Sequence, residues 1–308
     1  LQKSYNNLTC QKISVCKICE EEMKFTGTQK VRLSEKISSA ARSDTPLRDL
    51  ASNFSLVARY ALAEANTLTT EKINIALKRL PKNLDGFRIV HLSDIHHSPF
   101  TSLEHIARAV EIANKLKPDM FVLTGDFVSH ESEYIAPMAK VMGTLKSEFG
   151  TFACLGNHDH WTDAELVTNC LRDENITVLI NEGFRLMARG ASFWLCGVDD
   201  YMVGQTDLRS ALRGSFPDEM KILLAHNPKI LYRAARASVD LMLSGHTHGG
   251  QVKIRNEEKR ILPRRKFASG LYRRKDTQVY ITRGIGTVVL PVRFGCPPEV
   301  SLIEMHSI

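Results

Sequence analysis

Apolar positions along the chain follow two periods. Ile73, Ile75 and Leu77 alternate with polar residues, as in a half-buried strand, and Pro81 to Gly86 then turns the chain. Phe87-Arg-Ile-Val-His-Leu-Ser93 reads as a second strand. Thr101-Ser-Leu-Glu104 has the form of a capping box, followed by a helix whose Ile106, Ala109, Val110, Ala113 and Leu116 share one face. The pattern predicts strands over 120–124 and 151–155, with a helix over 136–146 between them. Further strands are expected near Ile176 and Phe193, and over 221–225, 240–243, 278–282 and 300–304. Strands alternating with helices imply an α/β core, and the close spacing of the later strands implies mixed sheets.

Residues 1–66 read differently. Thr45-Pro46 resembles a helix N-cap followed by proline at the first helical position. Leu47, Leu50, Phe54, Val57 and Ala61 then recur at helical spacing. That stripe reads as core packing, with a membrane-facing lid as its alternative. The expected organisation is an N-terminal extension over 1–66 and an α/β domain over 67–308.

Each predicted core strand runs into polar residues. Asp94-Ile-His96 ends one, Gly125-Asp126 the next, and Gly156-Asn157-His158-Asp159 the third. His226 ends a fourth, and Leu243-Ser-Gly-His246-Thr-His248-Gly-Gly-Gln251 a fifth. Ligand sites of α/β sheets collect outside the carboxyl ends of strands, so these groups are expected in one region. Read as extended backbone, His246 and His248 would share a face. An Asp-x-His triplet means little alone, but Gly-Asn-His-Asp arises by chance in about one such chain per thousand. Carboxylate, amide and imidazole donors without cysteine suit Mn²⁺, Fe²⁺ or Zn²⁺. Asp94, His96, Asp126, Asn157, His226, His246 and His248 are too many for one ion and suit two sharing a bridge.

The 308 residues, 43% hydrophobic, can bury a full core, and no apolar run is long enough to span a bilayer. The chain begins at Leu1, as a trimmed product would, with room for an anchor outside it. A net charge of +7 favours an anionic partner. Seven cysteines without a repeating framework suggest a reducing compartment. Cys10, Cys16 and Cys19 have no fourth ligand nearby and read as free thiols.

The five blocks resemble those of the calcineurin-like metallophosphoesterase superfamily. The resemblance runs from about Leu84 to the C-terminus. It implies a four-layer α/β/β/α sandwich of two mixed sheets. It also implies two divalent ions, Mn²⁺ by preference, with Asp94, His96 and His248 on the first and Asp126 bridging. Asn157, His226 and His246 would hold the second. His158 would act on the leaving group, oriented by Asp159, and Gly249-Gly250 would keep bulk out of the cavity. Within the superfamily, residues 288–299 and the Gly-Gly-Gln after the histidines are similar to a membrane-associated bacterial branch. That branch contains the UDP-2,3-diacylglucosamine pyrophosphatases of lipid A biosynthesis, in the form with an N-terminal extension. The likeness implies hydrolysis of a lipid-linked nucleotide diphosphate at the cytoplasmic face of the inner membrane, the chain being peripheral or anchored. Ten Lys/Arg against two Glu between Lys253 and Lys275, with Phe267 and Tyr272 interleaved, fit an anionic membrane surface or a diphosphate. A solvated basic face is the plainer reading of that segment, and no motif supports nucleic acid as the main partner. A broad-specificity phosphodiesterase and a non-catalytic scaffold are the alternatives.

Overall fold

The computed structural model describes residues 47–252 and 267–308, with side chains from Ser55 onward. Cys10, Cys16, Cys19, Thr45-Pro46 and most of the basic segment lie outside them, as do the side chains of Leu47, Leu50 and Phe54. Helix α1 spans Leu47–Ala65. The compact unit that holds both sheets begins at Phe54 and so includes the latter part of α1. Its Ala61 and Ala65 are buried, continuing the predicted stripe.

Sheet one contains β1 (Thr69–Leu77), β2 (Phe87–Leu92), β3 (Met120–Thr124), β4 (Thr151–Cys154), β5 (Ile176–Val178) and the C-terminal Glu299–Ser307. Four helices follow these strands in turn: α2 (Leu103–Lys115), α3 (Ile135–Met142), then the short α4 (Asn157–Thr162) with α5 (Ala164–Asp173). The N-cap of α2 is Ser102, whose Oγ accepts the His105 amide; the expected Thr101 is instead buried in the preceding turn. Sheet two contains β6 (Glu182–Ala188), β7 (Ala191–Gly197), β8 (Lys221–Leu224), β9 (Leu241–Ser244), β10 (Gly270–Arg274) and β11 (Thr277–Ile281). Helices α6 (Leu208–Ala211) and α7 (Leu231–Arg236) belong to it. With Glu299–Ser307 as β12, the strand orders are β1-β12-β2-β3-β4-β5 and β10-β11-β9-β8-β7-β6.

Both sheets are mixed. β12 runs antiparallel to β2 but parallel to β1, and β6 and β10 pair antiparallel with their neighbours. The remaining pairs, β2-β3-β4-β5 and β11-β9-β8-β7, are parallel. Burial follows the alternation of side chains across each strand. Val90, Leu92, Phe121 and Leu123 pack against Ile106, Val110 and Met138 of the helices outside sheet one. Ile89, Met120, Val122 and Phe152 face Phe193, Leu195, Ile222 and Leu243 between the sheets. Leu223, Met242 and Val279 meet Leu231 and Ala234 outside sheet two. Three apolar interfaces make four layers, the α/β/β/α sandwich that was expected.

Candidate dinuclear metal centre

Because β2, β3 and β4 are parallel neighbours, as are β8 and β9, their carboxyl ends emerge along one edge of each sheet. The two edges meet. His226 Nδ1 donates to the Thr124 carbonyl at 2.6 Å, and the His246 amide donates to the Asp94 carboxylate at 3.0 and 3.1 Å. These bonds tie sheet two to sheet one at the point where the polar residues collect.

All seven donors named from the sequence converge there. Asp94, His96, Asp126 and His248 each offer an atom within 4.8 Å of the others, and Asp126, His226 and His246 form a second such set. His96 Nε2 and His248 Nε2 are 3.1 Å apart, and His248 Nε2 is 3.3 Å from Asp94 Oδ1. Asp126 Oδ2 lies 3.5 Å from His96 Nε2 and 3.1 Å from His226 Nε2, so one carboxylate oxygen faces both sets. Asn157 Oδ1 and His226 Nε2 approach His246 Nδ1 at 3.0 and 3.3 Å. The arrangement is that of a dinuclear metal site.

Electrostatics favours the ligand form in three of the four histidines. Burial pushes the imidazole of His96 down to about 3 and that of His246 to about 4, and holds His248 well below the usual histidine range, so all three keep a free lone pair at neutral pH. For His226 burial acts in the same direction, but the Asp126 carboxylate outweighs it and raises the group to about 10. Burial works against the Asp126 carboxylate in turn, and His226 nonetheless holds it below the ordinary range. Among these mutually facing lone pairs and two buried carboxylates, a divalent cation fits: it satisfies the donors and offsets their desolvation.

The backbone is shaped to the site. Asp94, His96, Asp126, His246 and His248 all have positive φ, between 48° and 70°, which non-glycine residues rarely adopt. Such strain persists only where the surroundings impose it, and it fixes the donors before any ion arrives. His246 and His248 therefore do not sit on an extended segment. β9 ends at Ser244, and a left-handed turn aims one imidazole at each donor set. Gly245 is required because a Cβ there would overlap Ser93 Oγ and Asp94 Oδ2. Gly249, expected to clear the cavity, is instead confined by Cys296 and Arg283.

Partners beyond the donors orient the rings. His226 Nδ1 is fixed as the N–H by the Thr124 carbonyl, leaving Nε2 toward Asp126. Ser129 acts twice: its Oγ lies 3.3 Å from His96 Nδ1, and its carbonyl accepts from His158 Nδ1 at 2.9 Å. The His158 amide donates to Asp126 Oδ1 at 2.8 Å, placing that ring beside the centre without using it as a donor to the ions.

Asp159 departs from expectation. It does not hold the His158 ring. Its carboxylate accepts the amides of Asp126, Phe127 and Gly156, each at 2.8 Å. Burial, and after it the Asp126 charge, pushes this group up to about 7, against the pull of the amides. The sequence reading missed Ser129, His130 and Trp161, all of which contact this cluster. Their only signal was a position next to a motif. Of the basic segment, Phe267 and Tyr272 stack edge-on at 5.3 Å and pack onto the outer layer of sheet two.

The sequence profile of the calcineurin-like phosphoesterases matches residues 87–250, more than half of the chain. An uncharacterised metallophosphoesterase of Bacillus subtilis, YkuE, is 31% identical over 81% of this chain and 89% of its own length. The phosphodiesterase YaeI of Escherichia coli is 32% identical over 76% of this chain and 88% of its own. A transmembrane protein with a metallophosphoesterase domain from cattle is 34% identical over 82% of this chain, which spans only 60% of that relative. This chain belongs to the calcineurin-like phosphoesterase family. It is a metal-dependent hydrolase of phosphoester bonds. Among its described residues no helix is long and apolar enough to cross a membrane.

Proposed function

We propose that the protein is a two-metal phosphodiesterase of broad specificity, with Asp94, His96 and His248 on one ion, Asn157, His226 and His246 on the other, and Asp126 between them. One observation carries this reading: seven donors from five strand ends form two sets that share a single carboxylate. When bound, the two ions polarise phosphoryl oxygens and lower the pKa of the attacking water. Donors of nitrogen and oxygen alone fit Mn²⁺ well, without selecting it over Fe²⁺ or Zn²⁺. The protein's own part lies in orientation and proton transfer. The Nδ1–H of His158 donates to the Ser129 carbonyl, so in the imidazolium form the second proton sits on Nε2, which would pass it to the departing oxygen and leave the neutral ring. Asp159 holds together the turns that carry Asp126 and Gly156. The phosphodiesterase relative from Escherichia coli supports a diester substrate. Protein loaded with Mn²⁺ should cleave bis(p-nitrophenyl) phosphate, and chelation should stop it. Two bound ions with no cleavage of any diester would refute the assignment.

A narrower reading is hydrolysis of UDP-2,3-diacylglucosamine to UMP and the acylated sugar 1-phosphate, peripheral to the inner face of a membrane. The exposed apolar side chains Leu62, Phe100, Val289 and Leu290 favour a lipid-bearing substrate. Leu62, Phe100 and the 285–291 segment enclose a slit of about 50 Å³. That is room for about two waters, so acyl chains would have to lie on the surface. Release of UMP from that substrate at a rate well above simple diesters would establish the narrower reading. Equal or slower release would leave the broad one.

A further inference from the structure

The His158 imidazole lies among three other rings. His96 is edge-on at 4.7 Å, Trp161 edge-on at 4.7 Å, and His130 tilted at 5.2 Å. His96 belongs to the buried centre, whereas the other two face outward. Trp161 keeps 52% of its surface exposed, and His130 is exposed as well. Helix α4 supplies both sides of the contact, since residues three apart share a helical face. The neighbouring loop is pinned to the same helix. His160 Nε2 and Asp199 Oδ1 are 2.6 Å apart, and Tyr201, Met202 and Val203, just beyond, are also exposed.

An indole left half in water, against the one ring that acts on the departing oxygen, is poorly explained by packing. It gains little from burial, whereas a flat ligand laid on its open face would cover it. We infer that Trp161, with His130 opposite, forms the subsite for a planar aromatic substituent on the leaving group, such as a nucleobase or an aryl ring. This rests on the phosphodiesterase reading above and goes further, naming the residues that select the substrate. A group whose oxygen approaches His158 has the Trp161 indole and the His130 ring as neighbouring flat surfaces, 4.7 and 5.2 Å from that imidazole. A flat substituent stacks there, and a glycerol or short alkyl group finds no matching surface.

The tryptophans provide the test. The chain has two, and the other, Trp194, is 5% exposed. Emission excited at 295 nm therefore reports solvent-side events mainly from Trp161. Uridine 5′-monophosphate and adenosine 5′-monophosphate, titrated into the Mn²⁺-loaded protein, should quench it, while glycerol 3-phosphate should not. Trp161→Phe should abolish the quench and keep most of the nucleotide affinity, read by calorimetry. Trp161→Ala should weaken nucleotide binding about ten- to one hundred-fold, the range expected for one stacked base, and glycerol 3-phosphate binding by less than threefold. His130→Ala should weaken the nucleotide selectively but less. Equal losses for both phosphates in Trp161→Ala, or wild-type affinities that do not favour nucleotides over glycerol 3-phosphate, would overturn the subsite. A protein that binds and quenches but cleaves no diester keeps the subsite and loses the catalytic reading, so the two failures are separable.

Discussion

His96 and His248 present their Nε2 atoms to each other 3.1 Å apart, both buried. Two neutral imidazoles in that pose share at most one proton, and the carboxylates of Asp94 and Asp126 stand beside them. A bound cation relieves that arrangement. Folded protein saturated to one hundred times the dissociation constant should gain about 2.7 kcal/mol per site. For a chain of this size that corresponds to roughly 5–10 °C in melting temperature. Differential scanning fluorimetry with Mn²⁺ and after chelation checks it. An unchanged midpoint would count against a metal centre here.

Asp126 and His158 are hydrogen-bonded but should fail in different ways. Asp126→Ala removes the oxygen that faces both donor sets, so elemental analysis should find the metal content falling from two toward zero. Two ions retained would disprove the bridge. His158→Ala keeps the backbone amide that binds Asp126 Oδ1. Its metal content should be unchanged and its turnover about 10²–10⁴-fold lower.

Ser129 touches a donor to the metals through its side chain and the catalytic ring through its backbone. Ser129→Ala should therefore weaken metal binding by about ten- to one hundred-fold, the usual effect of losing an outer partner. Once metal is saturating, turnover should recover, because the carbonyl to His158 remains. Ser129→Thr, which keeps the hydroxyl, should restore the affinity in a chelator competition. A persistent turnover defect in saturated Ser129→Ala would show that the carbonyl had moved.

The ion pair between His160 and Asp199 should make stability depend on pH. Its hydrogen bond to Asp199 raises His160 above the ordinary 6.5, despite burial. Burial opposes ionisation of Asp199, but His160 and the amides of Gln205 and Asp200 lower it below 3.8. The histidine's contribution is complete below pH 6.5 and fades as pH rises through its higher folded value. The aspartate's is complete above pH 3.8 and is lost as pH falls through its lower one. The difference in melting temperature between wild type and His160→Gln should thus be largest between those limits and shrink on the alkaline side. A difference independent of pH would mean that the pair contributes packing alone.

The donors to the centre were legible because each closes an apolar strand, and parallel strands bring their ends together whatever the loops do. The order Asp94, Asp126, Asn157, His226, His246 follows the strands themselves. Asp159 was misread because its partners are backbone amides, which carry no residue-type signal. Ser129 escaped for a similar reason, since half of its role runs through a carbonyl. Strands β6 and β10 were not anticipated. Both lie at sheet edges, and most of β6 is only half-buried, so neither face carries a clear period. The clue to β6 was Arg189-Gly190, both at positive φ, the two-residue turn that suits a hairpin. The predicted helix over 136–146 overran because Gly143 caps it after Met142.

The last strand has a consequence for synthesis. β12 lies between β1 and β2, paired over nine positions with the one and five with the other. β1 and β2 therefore cannot become neighbours, and the slot between them stays open until Glu299–Ser307 emerges. Every donor to the ions is translated well before that. A nascent chain stalled short of Glu299 should carry the whole reactive cluster on a sheet with a gap, exposed to chaperones and to its own siblings until β12 closes it.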